Sequence, residues 1–302
     1  MANLKEIRTR IETVQSTGQI TTAMRMVSAS KLRKNQQSFS AIQPYSDALL
    51  SISYEIYALL NQEEQSYFSN FNNVNNDKNK IKQVLLVVFS SNKGLCGAFN
   101  ANVVKYTNEL INTTYQQDLK EGKLHILTVG KKAFEIFEKQ GLPVISQQHD
   151  LLNHFNFKDV GYLSSQLFEM YQKGTYKKII LIYNKFKTIL TQELNTLQFL
   201  PVLPPSSLKK NLSQPVDFIM EPDKETILRW LYPKMLEMVL YRTFLESMTA
   251  EESARMIAMQ QASDNANILL KELKLSYNKA RQAAITNELL EIIAGSEALS
   301  NH

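Results

Sequence analysis

A single cysteine, Cys96, and four histidines in 302 residues leave this chain without the material for an internal disulfide or a thiolate cluster. The histidines, His125, His149, His154 and His302, lack metal-ligand spacing; only His149 and His154 are close in sequence. No apolar run reaches the roughly 18 residues that a membrane span needs, and no secretory signal is recognisable. With so little cysteine, the expectation is a protein of the cytosol or of a matrix compartment. Glycine is scarce as well, at nine residues, and none falls between Lys224 and Ile293. That stretch holds one proline, Pro233, so nothing after it stops an α-helix for some sixty residues. No internal repeat is evident. The net charge of +5 and pI near 9.0 favour an acidic partner surface. Nucleic acid is disfavoured, because the basic N-terminal segment lacks the interleaved aromatics that stack on bases.

What is present is helix on an unusual scale. In the C-terminal stretch Met248, Glu252, Arg255, Met259, Ala262, Ala266, Leu269 and Leu273 alternate in steps of four and three, the spacing that keeps one seam against a partner helix. The seam continues through Tyr277, Ala280 and Ala284 after an extra four-residue step, which locally unwinds a supercoil. A helix of some 70 residues spans roughly 105 Å, so most of it is expected outside any globular body. The seam is rich in Ala, Met, Ser and Asn, which bury little area and predict a pair that needs surrounding partners. Pro233 is a candidate kink.

Lys5 to about Leu60 reads as a second long helix. Leu4, Ile7, Ile11 and Val14 step three, four and three, and Ile20, Met24 and Val27 are read as resuming the pattern after Gly18. Arg8, Arg10, Arg25, Lys31, Arg33 and Lys34 make this helix basic. A mitochondrial-type presequence shares that character, but here the apolar seam runs on into the helix without a processing break.

Between the helices, residues 61 to 80 form an Asn-rich loop. The apolar runs Val84 to Phe89, Leu124 to Val129 and Ile179 to Tyr183 read as buried parallel strands. Helical patterns at Lys131 to Gln140 and Val160 to Tyr171 alternate with them. Residues 81 to 200 are therefore expected to form an α/β domain, closed by Pro201, Pro204 and Pro205.

Ser90 to Asn100 follows a strand and opens a helix, the place where doubly wound folds bind phosphates. Its glycine spacing is wrong for a dinucleotide fingerprint, and neither it nor Gly130-Lys131-Lys132 satisfies the Walker pattern. Gly94 and Gly97 read as turn glycines, and Cys96 as a small buried residue. Paired carboxylates such as Glu251 with Glu252 or Glu288 with Glu291 fall on the long helix, on an expected solvated face. No catalytic, cofactor-binding or metal site is expected. A nucleotide-binding enzyme with a coiled-coil arm and a passive coiled-coil scaffold are the competing classes.

Several blocks, in order along essentially the whole chain, resemble the gamma subunit of F-type ATP synthase. They are Lys5 to Arg8, Thr21 to Lys34 (TTAMRMVSASKLRK), Lys93 to Gly97 (KGLCG), Phe218 to Asp223 (FIMEPD), Ala254 to Met259 (ARMIAM) and Tyr277 to Ile293 (YNKARQAAITNELLEII). The resemblance implies an α/β chain in which the two terminal helices form a long antiparallel coiled coil and a central α/β domain carries a mainly parallel sheet. The corresponding segments are 1–60, the loop 61–80, 81–205, a connector 206–221, and 222–302.

The resemblance also implies a non-catalytic rotor. In that family the helix pair lies inside a ring of alpha and beta subunits, and the α/β domain meets the membrane c-ring and the epsilon subunit. Rotation driven by proton flow forces each beta subunit through its catalytic states. By match to the motifs, Arg281 and Gln282, with Thr286 and Glu288 nearby, correspond to a polar group facing loops of beta. Met24, Arg25 and Arg255 correspond to the zone facing its acidic lever. Leu289, Leu290, Ile292 and Ile293 match the bearing sleeve, and Glu221 the c-ring side. The implied location is the cytoplasmic face of a bacterial inner membrane, with the matrix side of a mitochondrion as the alternative. The small and Met side chains of the seam are expected to suit a low-adhesion bearing surface, so Phe at Ala262 or Ala266 should slow rotation. The chain departs from the family at Gly295-Ser296, where Gly-Ala is usual, and at Asn92 and Lys93, where Asp and Arg are common. It lacks the inserted cysteine pair of the chloroplast type, so thiol control by light is not expected.

Overall fold

The computed structural model describes residues 4–58, 83–153, 155–202, 220–221 and 223–300. The Asn-rich segment 61–80, nearly all of the 206–221 connector, and His154, His302, Pro204, Pro205 and Pro222 lie outside the described residues. Two helices dominate: α1, Leu4–Ala58, and α7, Lys224–Ser300. Pro233 lies within α7, and Pro44, which the sequence pattern did not single out, lies within α1. Pro44 and Ser40, whose carbonyl a proline at this position leaves unpaired, are both exposed, so water can satisfy the lost backbone bond. The chain divides into two compact units, Met1–Ala29 with Arg255–His302, and Ser30–Ala254.

The second unit holds a five-stranded sheet. In chain order its elements are β1 (Gln83–Phe89), α2 (Phe99–Thr114), α3 (Gln116–Lys120), β2 (Leu124–Val129), α4 (Lys131–Lys139), β3 (Val144–Gln147), α5 (Asp150–Asn153), α6 (Phe157–Gln172), β4 (Tyr176–Phe186) and β5 (Gln192–Leu200). Strand order is β3-β2-β1-β4-β5. The pairs β1/β2, β1/β4 and β2/β3 are parallel, and β4/β5 is antiparallel. The three apolar runs fall on the three central strands. Those strands are buried on both faces, so their side chains need not alternate with polar ones.

The pleat divides the core. Leu85, Val87, Phe89, Leu127, Val129, Ile179, Leu181 and Tyr183 pack with α6 and with α7 residues such as Leu236, Leu240 and Phe244, joined by Leu49 and Ile56 of α1. Val84, Leu86, Val88, Leu124, Ile126, Ile180 and Ile182 pack on the other side with Val103, Val104 and Ile111 of α2 and Phe137 of α4. No residue from Leu231 to Ala254 is exposed. Large apolar residues alternate there with polar ones that are themselves buried, among them Thr243, Glu246, Ser247, Thr249, Glu252 and Ser253. The neighbours of this stretch are the sheet (Phe244 to Phe89, 4.9 Å between ring centroids), α6 (Tyr232 to Phe168, 5.5 Å) and α1, through the Arg242–Asp47 ion pair.

The first unit is a helix pair. Thr22 Oγ1 and Ser263 Oγ hydrogen-bond at 2.9 Å. A Cβ built on Gly18 would lie 3.4 Å from that of Ala266. As one residue number rises the other falls, so the pairing is antiparallel. Side chains on the α7 side of the seam agree with the expected spacing: Met259 and Ala266 are buried, and Ala262, Leu269, Leu273, Tyr277 and Ala280 are half-buried. Ala284 is exposed, and the seam stops before it.

The α1 side corrects the reading. After Val14 the seam runs through Gly18, Thr21 or Thr22, Met24 or Arg25 and buried Ser28, so Met24 stays inside as expected, while Ile20 and Val27 are each 57% exposed. Apolar character misled the assignment because the close approach at Gly18 selects small residues for the inside and turns the large ones out.

Candidate partner-binding surface

The sheet edge where a phosphate would bind is occupied by the protein itself. At the N-terminus of α4 the Lys131 N–H donates to Asn92 Oδ1 at 3.2 Å, the Lys132 N–H to the Ser91 carbonyl at 3.0 Å and the Ala133 N–H to Ser90 Oγ at 3.1 Å. These are the donors that a helix start would otherwise offer to an anion. Gly130 makes the approach possible: its φ is 101°, and a Cβ there would meet the Ser90 carbonyl oxygen at 2.2 Å.

The Ser90–Asn100 loop is equally self-satisfied. The Ser91 N–H donates to Asn100 Oδ1 at 3.0 Å, and Asn100 Nδ2 donates to Ser91 Oγ at 2.7 Å and to Cys96 Sγ at 3.2 Å. Cys96 is 1% exposed and clusters with Phe99 and Ala250, in keeping with a small buried turn residue. Asn92 also donates through Nδ2 to the His149 carbonyl at 2.8 Å and to Asn153 Oδ1 at 3.0 Å. An aspartate could make neither of those two bonds.

The helix pair offers the contrasting surface. Met24 and Arg25 are half-buried, and Arg255 is 7% exposed, so its guanidinium presents little area outward. The structure brings these three into the same unit. Large apolar groups that the sequence reading placed inside or passed over stand outside it: Ile20, Met26 and Val27 on α1, and Ile268 and Leu275 on α7. The signal that could have found them is the small-residue register of Gly18, Thr22, Ser263 and Ala266.

This overturns the bearing-surface reading of the seam. Ala266 is 8% exposed and faces Gly18, so the small side chains serve the approach of the two helices to each other.

Beyond Ala280 every described side chain of α7 through Ser296 is exposed. Arg281, Gln282, Thr286 and Glu288 project from this segment together with Leu289 (55% exposed), Leu290 (58%), Ile292 (62%) and Ile293 (54%). The Thr286 hydroxyl donates to the Gln282 carbonyl at 2.9 Å, a local bond that leaves the remaining polar groups to water or a partner. Four such aliphatic side chains in the open on one helix make an exposed apolar patch. Glu221, in the other unit, is exposed. Among the described residues no helix is long and apolar enough to cross a membrane.

Fold and surface together define a coiled-coil α/β protein whose long helices carry exposed apolar groups. The family model described as ATP synthase matches residues 3–299. The ATP synthase gamma chain of Flavobacterium johnsoniae is 44% identical over 302 residues, covering 99% of this chain and 100% of that one. That of Cytophaga hutchinsonii is 42% identical over 302 residues, covering 100% of each. Among solved structures, a chain of the Euglena gracilis mitochondrial ATP synthase aligns with a TM-score of 0.65 at 21% identity, over 98% of this chain and 94% of that one. A chain from the central stalk and c-ring of the Tetrahymena thermophila mitochondrial enzyme aligns with a TM-score of 0.56 at 25% identity, over 81% and 99%. The chain belongs to the ATP synthase gamma-chain family.

Proposed function

We propose that this chain is the central-stalk subunit of a bacterial F-type ATP synthase, carrying torque between a membrane c-ring and an alpha-beta catalytic ring at the cytoplasmic face of the inner membrane. It contributes no catalytic group of its own, and it also meets an epsilon subunit. The observation that carries this reading is relatedness to gamma chains along its entire length. The outward aliphatic residues of the helix pair and the unpaired end of α7 supply a surface of the kind such a ring would grip.

In this reading Arg281, Gln282, Thr286 and Glu288 meet loops of beta, and Leu289, Leu290, Ile292 and Ile293 turn within the apolar sleeve. Met24 and Arg255 lie toward the acidic lever of beta, with Arg25 beside them. Glu221 faces the c-ring side.

The test is reconstitution with the cognate alpha and beta subunits, with and without residues 282 to 302. A stable complex whose ATP hydrolysis depends on this chain is the expected result, and the truncation measures the share owed to the unpaired helix. Equal hydrolysis by alpha and beta alone would sink the proposal.

A further inference from the structure

In the second unit a polar chain runs from the surface at Asp47 inward to the buried Glu246. Arg242 of α7 donates through a terminal guanidinium nitrogen to Asp47 Oδ1 of α1 at 2.6 Å and through Nε to Glu246 Oε1, one turn on, at 3.2 Å. Its guanidinium carbon lies 5.6 Å from the ring centroid of Phe39, also on α1. Glu246 is 5% exposed, and its Oε2 has no hydrogen-bond partner among the described residues. The carboxylate lies close enough to Tyr183 of β4 to act on its hydroxyl: burial first, and the Glu246 charge next, push that phenol up to about 12. Tyr183 in turn accepts a hydrogen bond from Asn195 Nδ2 of β5 at 2.9 Å. Hydrogen-bonded side chains thus join α1 to α7, and the buried Glu246 carboxylate brings them up against the cross-strand Tyr183–Asn195 pair of β4 and β5.

Such a network is poorly explained as a source of stability. A buried ion pair repays little of its desolvation, and apolar replacements of similar volume serve folding as well or better. What it supplies is direction. Apolar packing tolerates sliding and small rotations of one helix on another, whereas a two-ended guanidinium between carboxylates on different helices holds one angular register.

We propose that Arg242 and Glu246 are positioning residues for torque transfer, latching α7 to α1 and to the β4–β5 pair so that load on the sheet cannot slip past the helices. The proposal rests on the rotor reading above.

The test uses the complete complex, reconstituted in lipid vesicles, with ATP hydrolysis and ATP-driven proton pumping measured together and the Tm of each isolated chain recorded. The variants are Arg242→Met combined with Glu246→Gln, which leaves no buried carboxylate unpaired, and Asp47→Arg at the more exposed end, with Asp47→Glu as the conservative control. Both disruptive variants are expected to hydrolyse ATP at near the parental rate while protons pumped per ATP fall about threefold, the scale of coupling changes from single network positions. Asp47→Glu should keep the parental ratio. A parental ratio in an assembled disruptive variant would overturn the proposal. So would loss of Tm or of assembly in Asp47→Arg, because the network would then serve folding or docking. If the parental chain itself supports no pumping, the rotor reading fails rather than the latch.

Discussion

The same two helices are held in two different ways. In the unit from Ser30 to Ala254, α7 is enclosed on all sides and contributes large side chains, Tyr232, Leu236, Leu240 and Phe244, to a continuous core. In the other unit the described residues of the two helices pack on each other, across a seam whose close contacts involve glycine, alanine, serine and threonine. Each large aliphatic or aromatic side chain that is fully buried contributes about 1.5–3 kcal/mol, and a small one far less. Helical continuity is therefore secured by burial in one region and by narrow shape complementarity in the other. Mutation should separate them.

Phe244→Ala should do the most damage. The ring is 0% exposed and lies 4.9 Å from Phe89 and 5.8 Å from Phe155 between centroids, so its loss should cost about 3–5 kcal/mol in chemical denaturation of the whole chain. Gly130→Ala comes next: strain at a positive φ and collision with the Ser90 carbonyl should cost about 2–3 kcal/mol, with amide exchange accelerating at Lys132 and Ala133 as their bonds to Ser91 and Ser90 open.

In the helix pair, Ala266→Phe should force the helices apart at a cost of about 1–2 kcal/mol, visible as faster exchange near Gly18 and Ser263 with the sheet amides unchanged. Faster exchange in the sheet core as well would erase the distinction between the units. The smallest effect has the opposite sign. Gly18→Ala adds a methyl at the short end of ordinary contact, 3.4 Å from Ala266, and removes a helix-interior glycine, so the pair should gain about 0.5–1 kcal/mol. A loss on melting followed by circular dichroism would mean that the backbones cannot yield by even a few tenths of an ångström.

Much of this architecture was legible in the sequence because its signals are long or doubly buried. The α7 seam persisted over many turns, and Val84 to Phe89 announced a strand enclosed on both faces. Short or half-polar strands were not announced: β3 is four residues with two aliphatics, and β5, QELNTLQFL, sits at an edge where polar residues meet water.

On α1 the error was one of register. Ile20 and Val27 satisfied the apolar rule, yet the inside of a pair this close is chosen by size. The candidate surface was readable as motif but not as exposure. The seam spacing put Arg255 inside the pair and left Arg281 off it, as found, but nothing in the string says where the seam ends, so the exposure of Ala284 came only from the fold. The latch could not have been found either, because Asp47, Tyr183, Asn195 and Arg242 are far apart in sequence and meet only in the fold.

The stretch of α7 from Arg281 to Ser296 has one further consequence. A lone helix of this length is marginal in water, and here it displays its aliphatic groups without cover. Its order is therefore set by its surroundings, and the segment works as a gauge of assembly: a protease that cleaves it readily in the isolated chain reports, by its failure to cut, that this stretch has been taken up.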